Sequence, residues 1–179
     1  MVVAHCVLNQ NSRVQGLAKF RGVITPIVET LIKNEVGIIQ MPCPEFLYMG
    51  CKRRAQTKEQ YDTVMYRKFC RKIAENIAEQ IQEYAKNNMK TLAILGIEGS
   101  PTCAVKKTTK GYKEGEYAEN KKQKTKKVKE KGILIEELQK LLRKMGIKTN
   151  FIGIDNENPE KAKIKIKKIM ANKQSNNKV

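Results

Sequence analysis

The chain has 179 residues and a formal net charge of +18, from 36 Lys and Arg against 18 Asp and Glu. This length suits one domain with its own hydrophobic core, and no stretch of the sequence is long and apolar enough to cross a bilayer. Met1 leads into Val2-Val3 without the basic segment of a secretory signal, so we expect a cytoplasmic protein, in which five cysteines argue against a disulfide framework.

Apolar runs alternate with amphipathic stretches along the chain. The predicted strands cover residues 1–4, 38–41, 91–97 and 147–154. The predicted helices cover 26–36, 62–88 and 133–145, and a last helix begins at Asn158-Pro159-Glu160. This order predicts a three-layer α/β domain, Rossmann-like or flavodoxin-like, with a parallel sheet of about four strands and helices on both faces. We expect the domain to span residues 1–172, with a polar tail at 173–179 and with Gly37 and Gly146 as helix stops.

A cysteine follows each of the first three predicted strands: Cys6, Cys43 and Cys103. The carboxyl edge of an open parallel sheet is where ligands bind, so the three thiols could converge there. Pro42 and Pro44 are expected to hold Cys43 in an extended loop. A lone cysteine in a turn is more often a small packing residue, and we assign that role to Cys70 on the predicted 62–88 helix.

The spacing of the cysteines bears on what they could bind. Structural zinc sites commonly use tight Cys-x-x-Cys pairs, and none occurs here. A [4Fe–4S] cluster held by three thiolates tolerates wide spacing when each ligand ends its own strand. Cys51, close to Cys43 in sequence, stays an alternative ligand. The sequence contains neither a Gly-x-Gly-x-x-Gly dinucleotide fingerprint nor a P-loop.

Two further groups of side chains are candidates for a site. His5 is the only histidine; it could act as an acid–base group or a metal ligand, although a packed histidine is the more ordinary interpretation. Lys52, Arg53 and Arg54 could hold a phosphate or a carboxylate, and a solvated cluster is an equally good explanation of them.

The hydrophobic pattern fails over residues 104–131, where lysines surround Tyr112 and Tyr117. We interpret this stretch as a basic, mobile insertion, with three alternatives for its role. It could be a lid over the cysteine edge, or an RNA-binding segment that combines phosphate contacts with base stacking on the tyrosines. It could also be only a solvated loop of a lysine-rich protein.

Three motifs at the predicted strand ends resemble the thiouracil desulfurase family. They are Cys6 after the first strand, Cys43-Pro44-Glu45 after the second, and Gly99-Ser100-Pro101-Thr102-Cys103 after the third. The resemblance spans roughly residues 1–106, and the motifs occur in the family's order. Members of this family hold a [4Fe–4S] cluster by three cysteines and remove sulfur from thiolated nucleobases without net redox change.

The resemblance implies an iron–sulfur desulfidase that acts on a carbon–sulfur bond, as a lyase or hydrolase. Cys6, Cys43 and Cys103 would be the cluster ligands. Glu45 would be a general base for a water or a proton shuttle to the ring nitrogen, and Ser100 a hydrogen-bond donor or relay. The substrate would be a thiolated nucleobase, a nucleoside or a related thiocarbonyl compound.

This chain departs from the family pattern after Pro44-Glu45. Family members usually carry Gly-Gly-Leu there, whereas this chain reads Phe46-Leu47-Tyr48-Met49-Gly50-Cys51. The departure identifies a divergent relative and leaves two alternatives open. One is an iron–sulfur protein that carries sulfide without hydrolysing a substrate. The other is an RNA-binding protein that acts in tRNA thiolation through the lysine-rich insertion.

Overall fold

The computed structural model describes residues 1–111 and 125–176, and these form six strands and seven helices. The strands are β1 (Val2–Ala4), β2 (Ile39–Met41), β3 (Ala93–Ile97), β4 (Thr108–Lys110), β5 (Lys126–Val128) and β6 (Asn150–Ile154). The helices are α1 (His5–Leu8), α2 (Thr25–Lys33), α3 (Pro44–Met49), α4 (Lys58–Tyr61), α5 (Val64–Lys86), α6 (Ile133–Lys144) and α7 (Glu160–Asn176), with one 3₁₀ turn at Gln10–Ser12.

Four parallel strands form the central sheet, in the order β2-β1-β3-β6. Val3 of β1 is paired with Gln40 of β2 on one side and with Leu95 of β3 on the other. After β1 the chain moves outward to β2, and after β2 it crosses back to β3, so the direction of winding reverses between β1 and β3. An open α/β sheet binds its ligands at the carboxyl ends of the strands beside such a switch point.

The helices cover both faces of this sheet. Right-handed crossovers place α2 on one face and α5 and α6 on the other, because the chain reverses its direction across the sheet after β2. The packing agrees, since α5 lies against α6, and α2 lies against α7. The predicted three-layer α/β architecture is therefore confirmed.

The hydrophobic core explains why the long elements were predictable. Strands β1 and β3 are buried along their whole length, as expected of central parallel strands covered on both faces. The buried stripe of α5 repeats every three to four residues and consists of Tyr66, Cys70, Ile73, Ala74, Ile77, Ala78 and Ile81. Each large apolar side chain buried in this way stabilises the fold by about 1.5–3 kcal/mol.

The first predicted helix is shorter than expected. Helix α2 ends at Lys33, and the residue that takes the left-handed conformation after it is Glu35, with φ of 53°, so the expected stop at Gly37 is wrong. The backbone N–H of Val36 bonds to the carbonyl of Leu31 and closes the helix before Gly37 is reached. By contrast, Gly146, with φ of 69°, follows α6 as predicted.

The ends of the basic stretch 104–131 are ordered, because β4 and β5 pair in an antiparallel hairpin. The stretch in which the hydrophobic pattern fails therefore contains two short strands. Helix α7 continues to Asn176, so the polar residues expected as a tail from 173 onward are helical up to that point. No helix in the described residues has the length and hydropathy needed to cross a membrane.

Candidate functional site

The three predicted cysteines lie at the carboxyl edge of the sheet, next to the switch point. Cys6 lies in α1, which follows β1 directly, and Cys103 lies in the turn after β3. Cys43 caps α3: its Sγ accepts a hydrogen bond from the backbone N–H of Phe46 at 3.4 Å. The expected extended loop is thus limited to Pro42 and Cys43. Pro44 begins the helix instead, because its fixed φ suits the first helical position.

Two glycines allow the turn that carries Cys103 to fold back on the sheet. A Cβ on Gly96 of β3 would lie 2.1 Å from the carbonyl oxygen of Cys103, so only glycine lets the turn approach the strand this closely. A Cβ on Gly132, just before α6, would lie 2.3 Å from the carbonyl carbon of Thr102. The Cys103 turn is therefore held between β3 and the start of α6.

The electrostatics of the thiols indicate that they lie near one another in a dry environment. Burial raises the pKa of Cys6 to about 12 and that of Cys43 to about 11. Burial also holds the pKa of Cys103 well above its ordinary value, and the neighbouring Cys43 and Cys6 raise it further. Without a bound cation, all three sulfurs are therefore protonated at neutral pH.

The carboxylate of Glu45 lies at the same edge, where two hydroxyl groups hold one of its oxygens. Glu45 Oε1 accepts hydrogen bonds from Ser100 Oγ at 3.0 Å and from Thr102 Oγ1 at 2.6 Å. Ser100 Oγ in turn accepts the backbone N–H groups of Thr102, at 3.1 Å, and Cys103, at 3.0 Å. The hydroxyl of Ser100 thus connects the Glu45 carboxylate to the backbone of Cys103.

Of the three basic residues after Cys51, one belongs to this site. Lys52 and Arg54 are exposed, whereas Arg53 is buried. Arg53 Nε lies 3.9 Å from Glu45 Oε2, and its two terminal nitrogens donate to the carbonyls of Gly50, at 2.9 Å, and Ser12, at 2.6 Å. Arg53 therefore lies beside a carboxylate, as one interpretation of the cluster expected. Lys52 and Arg54 are solvated, as the other interpretation expected.

Two site residues were not predicted from the sequence, Thr102 and Tyr61. Tyr61 ends α4 and is buried, with its ring 4.7 Å from that of Tyr66. Burial raises its pKa, and the nearby Glu45 raises it further. The helix that carries Tyr61 does have a sequence signal. Thr57 and Gln60 form a capping box, and their spacing predicts the start of a short helix.

His5 is a packed side chain, which is the more ordinary of its two interpretations from the sequence. Its ring stacks on Phe46, with ring centres 6.1 Å apart, and its Nδ1 lies 2.6 Å from Gln40 Nε2. Partial burial lowers its pKa, so the ring is neutral at physiological pH.

The basic insertion begins beside the site. Thr108 donates a hydrogen bond to the carbonyl of Ser100 at 2.9 Å, and Thr109 donates to that of Gly99 at 2.8 Å. Tyr112 and Tyr117, on which the RNA-binding interpretation depends, lie outside the described residues.

A single metal ion has no evident place at this edge. Within residues 1–111 and 125–176, no group of three or more His, Cys, Asp or Glu side chains is arranged to hold one ion. A [4Fe–4S] cluster requires a different arrangement of ligands, because each thiolate binds a different iron of the cluster. Three separate thiols that follow three different strands, with Cys103 buried and Cys6 and Cys43 half-buried, fit that requirement.

The exposure of the cysteines predicts their order of alkylation in the iron-free protein. Cys51 is exposed, whereas Cys70 and Cys103 are buried. At neutral pH we expect iodoacetamide to modify Cys51 first and the four other cysteines much more slowly, since thiols react as thiolates. Peptide mass spectrometry over time measures this order. Modification of Cys43 should accelerate as the pH approaches 11, and rapid modification at neutral pH would contradict the protonated state.

Comparisons with known proteins bear on the family and the fold of this chain. A model of the family described as "Putative 2-thiouracil desulfurase" matches residues 2–172. An uncharacterized protein of Methanocaldococcus jannaschii is 41% identical over 146 residues, which cover 82% of this chain and 79% of that protein. Among solved structures, the [4Fe-4S]-dependent thiouracil desulfidase TudS is similar with a TM-score of 0.50 and 17% identity, over 93% of this chain and 97% of that chain.

Proposed function

Because this chain belongs to the 2-thiouracil desulfurase family, we propose that it is a desulfidase that replaces the sulfur of a thiolated pyrimidine by oxygen. The observation that carries the proposal is the family match over residues 2–172, which includes every residue of the site. The reaction exchanges a thiocarbonyl and water for a carbonyl and hydrogen sulfide. It needs no net oxidation or reduction.

We propose that Cys6, Cys43 and Cys103 hold a [4Fe–4S] cluster within the single domain formed by residues 1–172. The three thiols support this assignment, because a cluster supplies the positive charge that thiolates need in a site dry enough to raise their pKa values. A cluster held by these three cysteines would have one iron without a protein ligand, and that iron would supply a Lewis acid for the thiocarbonyl sulfur.

Glu45 is the proton acceptor in this proposal. Ser100 and Thr102 hold its Oε1, so Oε2 is the oxygen that can take a proton from the attacking water. The side chain of Glu45 is 14% exposed, so a water molecule can reach it. General-base catalysis of this kind is typically worth about 10²- to 10⁴-fold in rate.

The direct test is sulfide release from 2-thiouracil by the anaerobically purified protein. We expect absorbance in the visible iron–sulfur region, and one sulfide and one uracil formed per substrate consumed. A colourless protein that contains zinc would contradict the cluster. Release from 2-thiouracil and from thiolated tRNA, measured in parallel, tells whether the free base or RNA is the substrate.

An iron-loaded protein that binds sulfide but releases none from any thiolated base would instead be a sulfur carrier. A carrier needs the cluster but no proton acceptor. The two functions therefore differ in what they require of Glu45.

A further inference from the structure

Two buried hydrogen-bond donors beside Glu45 lack acceptors. Arg53 Nε and the hydroxyl of Tyr61 are inaccessible to solvent, and neither has a hydrogen-bond partner among the described residues. The Arg53 side chain is 2% exposed and Tyr61 is 3% exposed. Buried donors are nearly always satisfied in native proteins, so two unsatisfied donors at one site indicate a missing acceptor.

The position of Arg53 is fixed by its other nitrogens. The hydrogen bonds to the carbonyls of Gly50 and Ser12 hold the guanidinium plane, so Nε–H cannot turn to another partner without breaking them. Its 3.9 Å separation from Glu45 Oε2 is too long for a hydrogen bond. The carboxylate therefore attracts Arg53 electrostatically but does not satisfy Nε–H.

The hydroxyl of Tyr61 belongs to the same place. Its pKa is raised first by burial and then by the charge of Glu45. It is lowered by the charge of Arg53 and by a side-chain contact with Arg53 that does not reach hydrogen-bond geometry. The ring packs against that of Tyr66, with ring centres 4.7 Å apart, and this contact limits the movement of the hydroxyl. The two donors therefore lie next to the carboxylate that we propose as the proton acceptor.

The charges around the two donors limit what the missing acceptor can be. An anion would be attracted by Arg53 but repelled by Glu45 at close range. A neutral oxygen with two lone pairs can accept both hydrogen bonds without this repulsion. Such an oxygen is found in water and in the second carbonyl group of a pyrimidine such as 2-thiouracil.

We propose that Arg53 Nε–H and Tyr61 O–H form a two-donor subsite that binds one neutral oxygen atom beside Glu45. The oxygen is either the carbonyl oxygen of the thiolated base or a water that positions the carboxylate. The first source rests on the proposed desulfidase function, whereas the second does not. The subsite would then act either in base recognition or in positioning Glu45.

Crystallography tests the subsite independently of activity. High-resolution structures of the iron-loaded protein, alone and with 2-thiouracil, should show an oxygen within hydrogen-bonding distance of both Arg53 Nε and Tyr61 Oη. Absence of that oxygen from both structures overturns the proposal, whatever the rates of the variants. Its presence supports the subsite even if the protein releases no sulfide, which would contradict only the proposed function.

Kinetics then identify the source of the oxygen. Tyr61→Phe keeps the stacked ring and removes one donor, and we expect it to lower kcat/KM for 2-thiouracil by about 10-fold. Pyrimidine-2-thione has the thiocarbonyl but no second oxygen. A loss confined to 2-thiouracil assigns the carbonyl, whereas an equal loss for both compounds, mainly in kcat, assigns a water.

Two matched controls separate these effects from general damage. Tyr84→Phe changes an exposed tyrosine on α5, and Arg71→Lys changes a surface arginine bound to Glu137; both should leave the rates unchanged. Arg53→Lys should show the same dependence on the substrate as Tyr61→Phe. If Arg53→Lys fails to fold, as judged by thermal unfolding, Tyr61→Phe still identifies the source.

Discussion

Replacement of Cys6, Cys43 or Cys103 by alanine, one at a time, is expected to abolish iron loading and, with it, sulfide release. Each residue follows a different strand at the sheet edge, so no single neighbour can take over the lost ligand. The expected loss is nearly complete, because a cluster held by two protein thiolates is poorly retained. Iron and acid-labile sulfide content after anaerobic reconstitution measure it without reference to any substrate.

Two other cysteines provide matched controls for this series. Cys51 is exposed, and Cys70 is buried on α5, and alanine at either position should leave iron loading unchanged. Cys70→Ala should still lower thermal stability slightly, because it removes a packed side chain from the core. Retention of iron by Cys6→Ala together with its loss from Cys70→Ala would show that the assigned ligands are wrong, and loss from Cys51→Ala would make Cys51 a ligand.

Glu45→Gln is expected to slow sulfide release from 2-thiouracil by at least about 10² while leaving the iron content normal. The amide keeps the size of the side chain, and its oxygen can still accept the hydrogen bonds of Ser100 and Thr102. It cannot take a proton from water. Anaerobic assays of sulfide release, at matched cluster content, compare the two proteins.

Glu29→Gln is the control, since Glu29 lies on the surface of α2, where it forms an exposed ion pair with Lys33. Its rate should equal that of the parent protein. If Glu45→Gln releases sulfide as fast as the parent, Glu45 has no part in the chemistry. Normal binding of 2-thiouracil by the slow variant, measured by calorimetry, would show that the change affects the reaction and not the affinity.

The sequence by itself determined the central architecture. The apolar runs of β3 and β6 and the periodic stripes of α5 and α6 are long enough to show their type without tertiary information. Their alternation implies a parallel sheet, because parallel strands need crossover connections. That conclusion also placed Cys6, Cys43 and Cys103 at one edge, since the carboxyl ends of parallel strands lie together.

The short elements around the site could not be predicted in this way. Helices α1, α3 and α4 have four to six residues each, which is too short for a hydrophobic period to appear. Isolated helices of this length are unstable in water, so tertiary packing forms them. As a result, the extended backbone of Cys43 was predicted, but the helix α3 that it caps was not.

Only the tertiary structure decided which polar side chains accompany Glu45. Thr102 is 57 residues away in the chain, and Arg53 reaches Ser12 across 41 residues. In the sequence, Arg53 was indistinguishable from the exposed Lys52 and Arg54, and Tyr61 from any other tyrosine. Burial separates them, because a charged or hydroxyl group removed from water must find partners, and those partners come from distant elements brought together by the fold.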